Sequence, residues 1–143
     1  STTTYTRISS PTGTKVDFDG LKTRFILLLQ SLREIRQSVT VKVSEVNRAL
    51  DSVNKKMTEK EVALTKLEGL FKTLKAHIRA GTGGFGQQQR QGEIALLQEE
   101  RTRLMEQLRT KEAELQKSQM ELKNLQQVSS LNNDSMFACM RHL

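Results

Sequence analysis

Residues 17–80 contain no proline, and apolar side chains recur there at alternating steps of four and three: Leu21, Phe25, Leu28, Leu32, Ile35, Val39. Such spacing lines one face of a helix, because about 3.6 residues complete a turn. The phase passes through Lys42 to Val46. A second run then takes in Leu50, Val53, Met57, Lys60, Leu64, Leu67, Phe71, Leu74 and Ile78. The step from Val46 to Leu50 is four where three was due. It reads as a stutter, which eases a left-handed supercoil without ending the helix.

Asp17 or Asp19 can cap the start, since a short carboxylate accepts from the unpaired amides of a first turn. Two places invite a kink. Thr58-Glu59-Lys60-Glu61 has the spacing of a capping box, and residues 38–43 are rich in β-branched side chains, which lower helix propensity slightly. With no Gly or Pro beside either, the pattern predicts one continuous helix over residues 17–80, roughly 90 Å long.

Gly81-Thr82-Gly83-Gly84-Phe85-Gly86 holds four glycines in six residues. Gly81 falls where a left-handed cap would end the helix. Residues 81–92 read as a flexible Gly/Gln-rich linker, native or engineered. A phosphate-cradling loop would need a strand before it and a Lys-Ser/Thr pair after it, and both are missing. A second helix is predicted over residues 93–128, with Ile94, Leu97, Arg101, Leu104, Leu108, Lys111, Leu115, Ser118, Leu122 and Leu125 in phase. Ser129-Ser130-Leu131-Asn132-Asn133 is expected to stop it. Asp134 or Ser135 would then cap a short apolar helix within the tail, residues 129–143. Residues 1–16 are rich in Ser and Thr and predict a flexible arm without the features of a secretory signal.

The expected fold class is therefore all-α: a long helix, a Gly-rich loop and a shorter helix. They would form a coiled-coil hairpin or lie open within a multi-chain helical bundle. In an antiparallel hairpin Ile78 faces Ile94, Leu74 faces Leu97, Leu64 faces Leu108, Met57 faces Leu115 and Leu50 faces Leu122. Lys60 then opposes Lys111, and Phe71 opposes Arg101. In composition the chain is similar to small coiled-coil subunits of cytoskeletal, ciliary, centrosomal, kinetochore and trafficking complexes.

A second helix shorter by about 35 Å would cover the first only from about residue 46 onward. Residues 21–39 would be left bare, although residues 25–29 are five consecutive apolar side chains. Exposed apolar patches mark interaction sites. The expected partner-binding residues are Leu21, Phe25, Leu28, Leu29, Leu32, Ile35 and Val39. The alternative is that this face packs on residues 136–143 of the same chain. Polar residues in the seam (Lys42, Lys60, Arg101, Lys111, Ser118) weaken pairing and can set partner choice. They favour a hetero-oligomer with helical proteins over a homo-oligomer.

The formal charge is +7. Residues 21–80 carry 13 bases against 6 acids, and residues 93–128 carry 6 against 7, so the excess belongs to the first helix. Lys72, Lys75 and Arg79 follow Glu68 with no acid between them. They are either a solvated face, helped by the helix dipole, or a polyanion-binding stripe for microtubule acidic tails or an anionic membrane. Nucleic acid is a poor fit, because acids interleave the bases and the aromatic platforms that stack bases are missing. Aromatic residues make up only 4% of the chain, too few to fill a typical globular core.

The remaining chemistry-bearing residues are sparse. His77 lies among bases near a helix end, where a solvated role is expected. Cys139, in an apolar setting, reads as a small buried hydrophobe. With His142 and Arg141 it is too local to form a catalytic constellation. The expectation is a non-enzyme with no cofactor, no metal and no small-molecule substrate. One free thiol and no signal point to an intracellular, cytoplasmic or cytoskeletal setting. The apolar run is far short of the roughly 20 residues that span a bilayer.

Overall fold

A computed structural model describes residues 17–81 and 85–143, with the Phe85 side chain left aside. The expected arm over residues 1–16 and residues 82–84 of the expected linker lie outside the described residues. Two helices account for the described chain: α1, Phe18–Ala80, and α2, Phe85–Arg141. The class is all-α, a helical hairpin, with no strand among the described residues.

Asp17 caps α1. Its Oδ1 accepts from the Gly20 amide at 2.9 Å, and its carbonyl accepts from Leu21 at 2.9 Å. Neither suspected kink interrupts the helix. The Thr58 hydroxyl donates to the Asn54 carbonyl at 3.0 Å and that of Thr40 to Arg36 at 2.9 Å. Each hydroxyl is thus satisfied inside the helix and does not compete for a cap. Gly81 ends α1, but not in the expected left-handed conformation. Its amide is shared between the carbonyls of His77 at 2.9 Å and Ile78 at 3.2 Å. A close approach explains the glycine: a Cβ there would fall 3.1 Å from the His77 carbonyl and 3.2 Å from the Arg90 guanidinium.

α2 is longer than expected at both ends. It opens at Phe85 rather than 93, since Gln is a good helix former and Gln87 and Arg90 fall into half-buried positions. It also runs through residues 129–133 without a break. Ser129, Asn132, Met136 and Cys139 continue the same buried phase, so packing outweighs the modest intrinsic cost of Ser and Asn in a helix. Asp134 and Ser135 therefore lie inside α2 and cap nothing.

The buried and half-buried positions of α1 correct the expected stutter. They run Phe25, Leu29, Leu32, then Val39, Val43, Val46, Leu50, Val53 and Met57, and on to Ile78. Steps of four and three alternate throughout, with Arg36 the one exposed member of the series. The apparent stutter arose because a second stripe, Leu21, Leu28 and Ile35, lies beside the true seam and replaced it in the sequence pattern.

The chain divides into two compact units. In residues 42–124 the core is Leu67, Phe71 and Leu104, with Ala63, Leu64, Ile94 and Leu97 packed against it. Ile78 and Ile94 border one surface depression, and Leu74 and Leu97 another, which gives the antiparallel order. Lys60 and Lys111 border a third. Their like charges are tolerated because Lys60 donates to Gln107 Oε1 at 2.8 Å and Lys111 pairs with Glu114 at 3.0 Å. The cation over the Phe71 ring is Lys75 of its own helix, 5.6 Å from the centroid, whereas Arg101 is exposed.

In the other unit, residues 17–41 pack on residues 125–143. Leu29, Met136 and Cys139 form the core, with Phe25 and Leu32 against it. The expectation that residues 21–39 lack cover within the chain is thus corrected for the seam side of the helix. The cover comes from the part of α2 that was expected to be a tail. The Asn132 amide donates to the Leu32 carbonyl at 2.9 Å, and the Cys139 thiol to the Phe25 carbonyl at 3.2 Å. The His142 ring stacks on Phe25 at 5.2 Å between centroids.

Candidate helix-docking surface

A helix that repeats every seven residues presents its seam and, one residue before each inner seam position, a flanking stripe. In α1 that flank holds Leu21, Leu28 and Ile35, immediately ahead of Lys22, Leu29 and Arg36. The structure separates the seven predicted partner-binding residues on this basis. Leu29 and Val39 are buried at 6% and 9% exposure, and Phe25 and Leu32 are half-buried against the core. Leu21, Leu28 and Ile35 remain 42%, 50% and 45% exposed. The predicted set is therefore two stripes with different surroundings.

On α2 the flank facing the same side is set by the same rule. It holds Val128, Ser135 and His142, one residue before Ser129, Met136 and Leu143. Val128 is exposed, as is Leu131 beside it. Sequence reading missed Val128 and Leu131 because it placed the end of α2 between them. Once the phase is carried on through Asn132 and Met136, both fall outside the seam.

The surface between these flanks is short of charge. On α1, Arg24 is followed at seven-residue steps by Ser31 and Ser38. On α2 the matching positions are Asn124, Leu131 and Ala138. The corresponding flank of the other unit holds Lys56, Glu59 and Lys66 on α1 and Glu100, Glu114 and Glu121 on α2, and turns apolar only at Leu70 and Leu96 near the loop. Charged flanks of this kind are solvated. The uncharged one offers apolar area in heptad order.

A second apolar surface lies in the unit of residues 42–124. A depression of about 400 Å³ is lined by Leu70, Leu74, Leu96 and Leu97, with His77 and Glu93 among its polar members. Leu70 and Leu96 are largely exposed. Sequence reading did not single out either, though both stand out of phase with the seam.

The basic residues of the alternative reading, Lys72, Lys75 and Arg79, are all exposed. The ion pairs among the described residues are Arg103–Glu100 and Lys111–Glu114, so none of the three is paired with a carboxylate. Lys75 is engaged with the Phe71 ring. Hydrogen bonding by the Arg103 guanidinium holds the exposed Glu100 carboxyl below its ordinary value, and the same bond raises Arg103.

Cys139 is buried and free, as its apolar setting suggested. Among the described residues there is no cluster of His, Cys, Asp and Glu with the makings of a metal site. No helix among them is long and apolar enough to cross a membrane. Comparison with protein-family models, with curated proteins and with solved structures found no match.

Proposed function

We propose that this chain is a non-enzymatic coiled-coil structural or adaptor subunit. It assembles with other helices, in an assembly of the cytoskeletal, ciliary or trafficking kind that its composition resembles. One observation carries the reading: Leu21, Leu28 and Ile35 stay exposed at heptad spacing while the neighbouring Phe25, Leu29 and Leu32 are covered within the chain. An isolated helix gains little from propensity alone, and burial returns about 25 cal/mol per Å² of apolar surface. An uncovered heptad stripe is thus a site for a further helix. Exposed apolar residues occur singly on most proteins, but three at one heptad position form an ordered face.

A photo-crosslinking residue at Leu28 tests this in cells that make the chain. The expected result is a crosslink to a helical protein, repeated from Ile35 and missing from Leu27 on the far side of α1. Equal yields from Leu27 and Leu28, or none from either, would overturn the reading.

A further inference from the structure

The uncharged flank of residues 17–41 and 125–143 has the properties of a surface that pairs with its own copy. We infer that a second copy of this chain docks there, closing a four-helix bundle across a two-fold axis. The inference rests on the reading above, that this face receives a helix, and names the helix.

Three observations select the occupant. The first is charge. Flanking charges are what direct a coiled coil to one partner and away from others. Here Ser31, Ser38 and Ser135 stand where such charges would be, and Arg24 is the one base on the α1 side. A face of this composition meets itself without like-charge repulsion, which a two-fold contact requires because the same patch appears on both sides.

The second is shape. The bulky Leu21, Leu28 and Ile35 are interleaved with the small Ser31 and Ser38, and on α2 Ala138 follows Leu131 about two turns on. A two-fold contact brings the same surface to both sides, and bulky side chains spaced by small ones leave room there for interdigitation.

The third is area. Residues 21–41 extend about 30 Å at helical rise, and two helices side by side present a face about 20 Å wide. The contact would bury roughly 1,200 Å² in total, at the lower edge of stable interfaces. A contact of this size suits a reversible dimer; area alone does not set affinity, so dissociation on the order of micromolar is taken as the weak limit to be covered.

The polar seam residues do not argue for a different partner. Lys60 and Lys111 are taken up by Gln107 and Glu114 of the same chain.

Light scattering and sedimentation of the whole 143-residue chain, over a concentration series spanning micromolar, test the inference. The expected mass rises with concentration toward twice the 16.3 kDa of one chain. Leu28→Glu should raise the dissociation constant by about tenfold or more. Val128→Glu should do the same, and Leu27→Glu should change nothing. Ser31→Glu guards against misfolding, because Ser31 is exposed and lies outside the core. It should weaken the dimer with helicity unchanged by circular dichroism. A chain that stays monomeric at about 100 µM, well above the expected constant, overturns the inference. So does a dimer indifferent to both Leu28→Glu and Ser31→Glu. A monomer that crosslinks from Leu28 to a different helical protein removes self-pairing and leaves the broader reading standing. A monomer that crosslinks from Leu28 to residues 1–16 of its own chain, or to nothing, removes both.

Discussion

The Asn132 side-chain amide donates to the Leu32 carbonyl at 2.9 Å, while its own Oδ1 is buried and meets no donor. Asn132 is 5% exposed and occupies a seam position between Ser129 and Met136. A half-satisfied buried amide costs stability, on the order of 1–3 kcal/mol for the unmet group. In helical seams such residues fix which turn meets which.

Asn132→Leu should therefore stabilise the chain by about 1 kcal/mol, a rise of roughly 2–4 °C in melting temperature. It should also loosen the choice of register. Thermal melts followed by circular dichroism read the first effect. Disulfide trapping between cysteines placed at residues 29 and 136, with 22 and 136 as the slipped pair and Cys139 replaced by Ser, reads the second. A lower melting temperature would show that the Leu32 bond outweighs the buried oxygen.

The two stripes of α1 should respond differently to charge. Leu29→Lys buries a cation in the Met136–Cys139 cluster and should cost about 3 kcal/mol or more, with loss of helicity in residues 17–41. Leu28→Lys, one residue earlier but half exposed, should cost less than about 1 kcal/mol in the isolated chain. Chemical denaturation at low protein concentration separates them. Equal losses would mean that Leu28 is also packed within the chain.

Two glycines of α1 make opposite predictions. A Cβ at Gly69 would meet nothing within 4 Å, so Gly69→Ala should add about 1 kcal/mol through helix propensity alone. A Cβ at Gly20 would collide with Oδ2 of Asp17, the carboxylate that caps the helix. Gly20→Ala should thus lose the cap, at a cost of about 1 kcal/mol against the propensity it gains, and show no net stabilisation. Denaturant midpoints of the two variants decide the matter.

The Glu100–Arg103 pair gives a pH dependence of known sign. The carboxyl is depressed in the folded chain, first by its hydrogen bond to Arg103. Its contribution is fully present above the ordinary carboxylate value and is lost as pH falls through the depressed one. Both groups are exposed, so the effect on stability is small and screened by salt. Carboxyl titration by NMR should show Glu100 below its ordinary value, and Arg103→Gln should return it toward that value.

How much of this was legible in the sequence follows from what each signal measures. Periodicity revealed two helices, because a buried face must repeat, and the Ile78–Ile94 end followed only from the hairpin alternative, which the structure selects. It misplaced both ends of α2, because Gly86, Gly92 and residues 129–133 carry weak local preferences that long-range packing overrides. Asn132 is polar, so its burial has no signature in hydropathy, whereas the apolar setting of Cys139 announced its own. The docking face was half legible. Leu28 and Leu29 are adjacent apolar residues, and only the position of α2 decides which of them is covered. The Asp17 cap, by contrast, is a local bond within one turn, and the sequence named it as one of two candidates.

The Asn132–Leu32 bond joins residues 100 apart in the chain. A ribosome adding about 5–20 residues per second separates their emergence by roughly 5–20 s. For that interval residues 25–29 have been made and their cover has not. The chain therefore carries its stickiest segment uncovered while the next hundred or so residues are added. A mutation that slows elongation across residues 42–124 would lengthen the wait without touching a single native contact. Its penalty would fall on yield rather than on the stability of the finished protein.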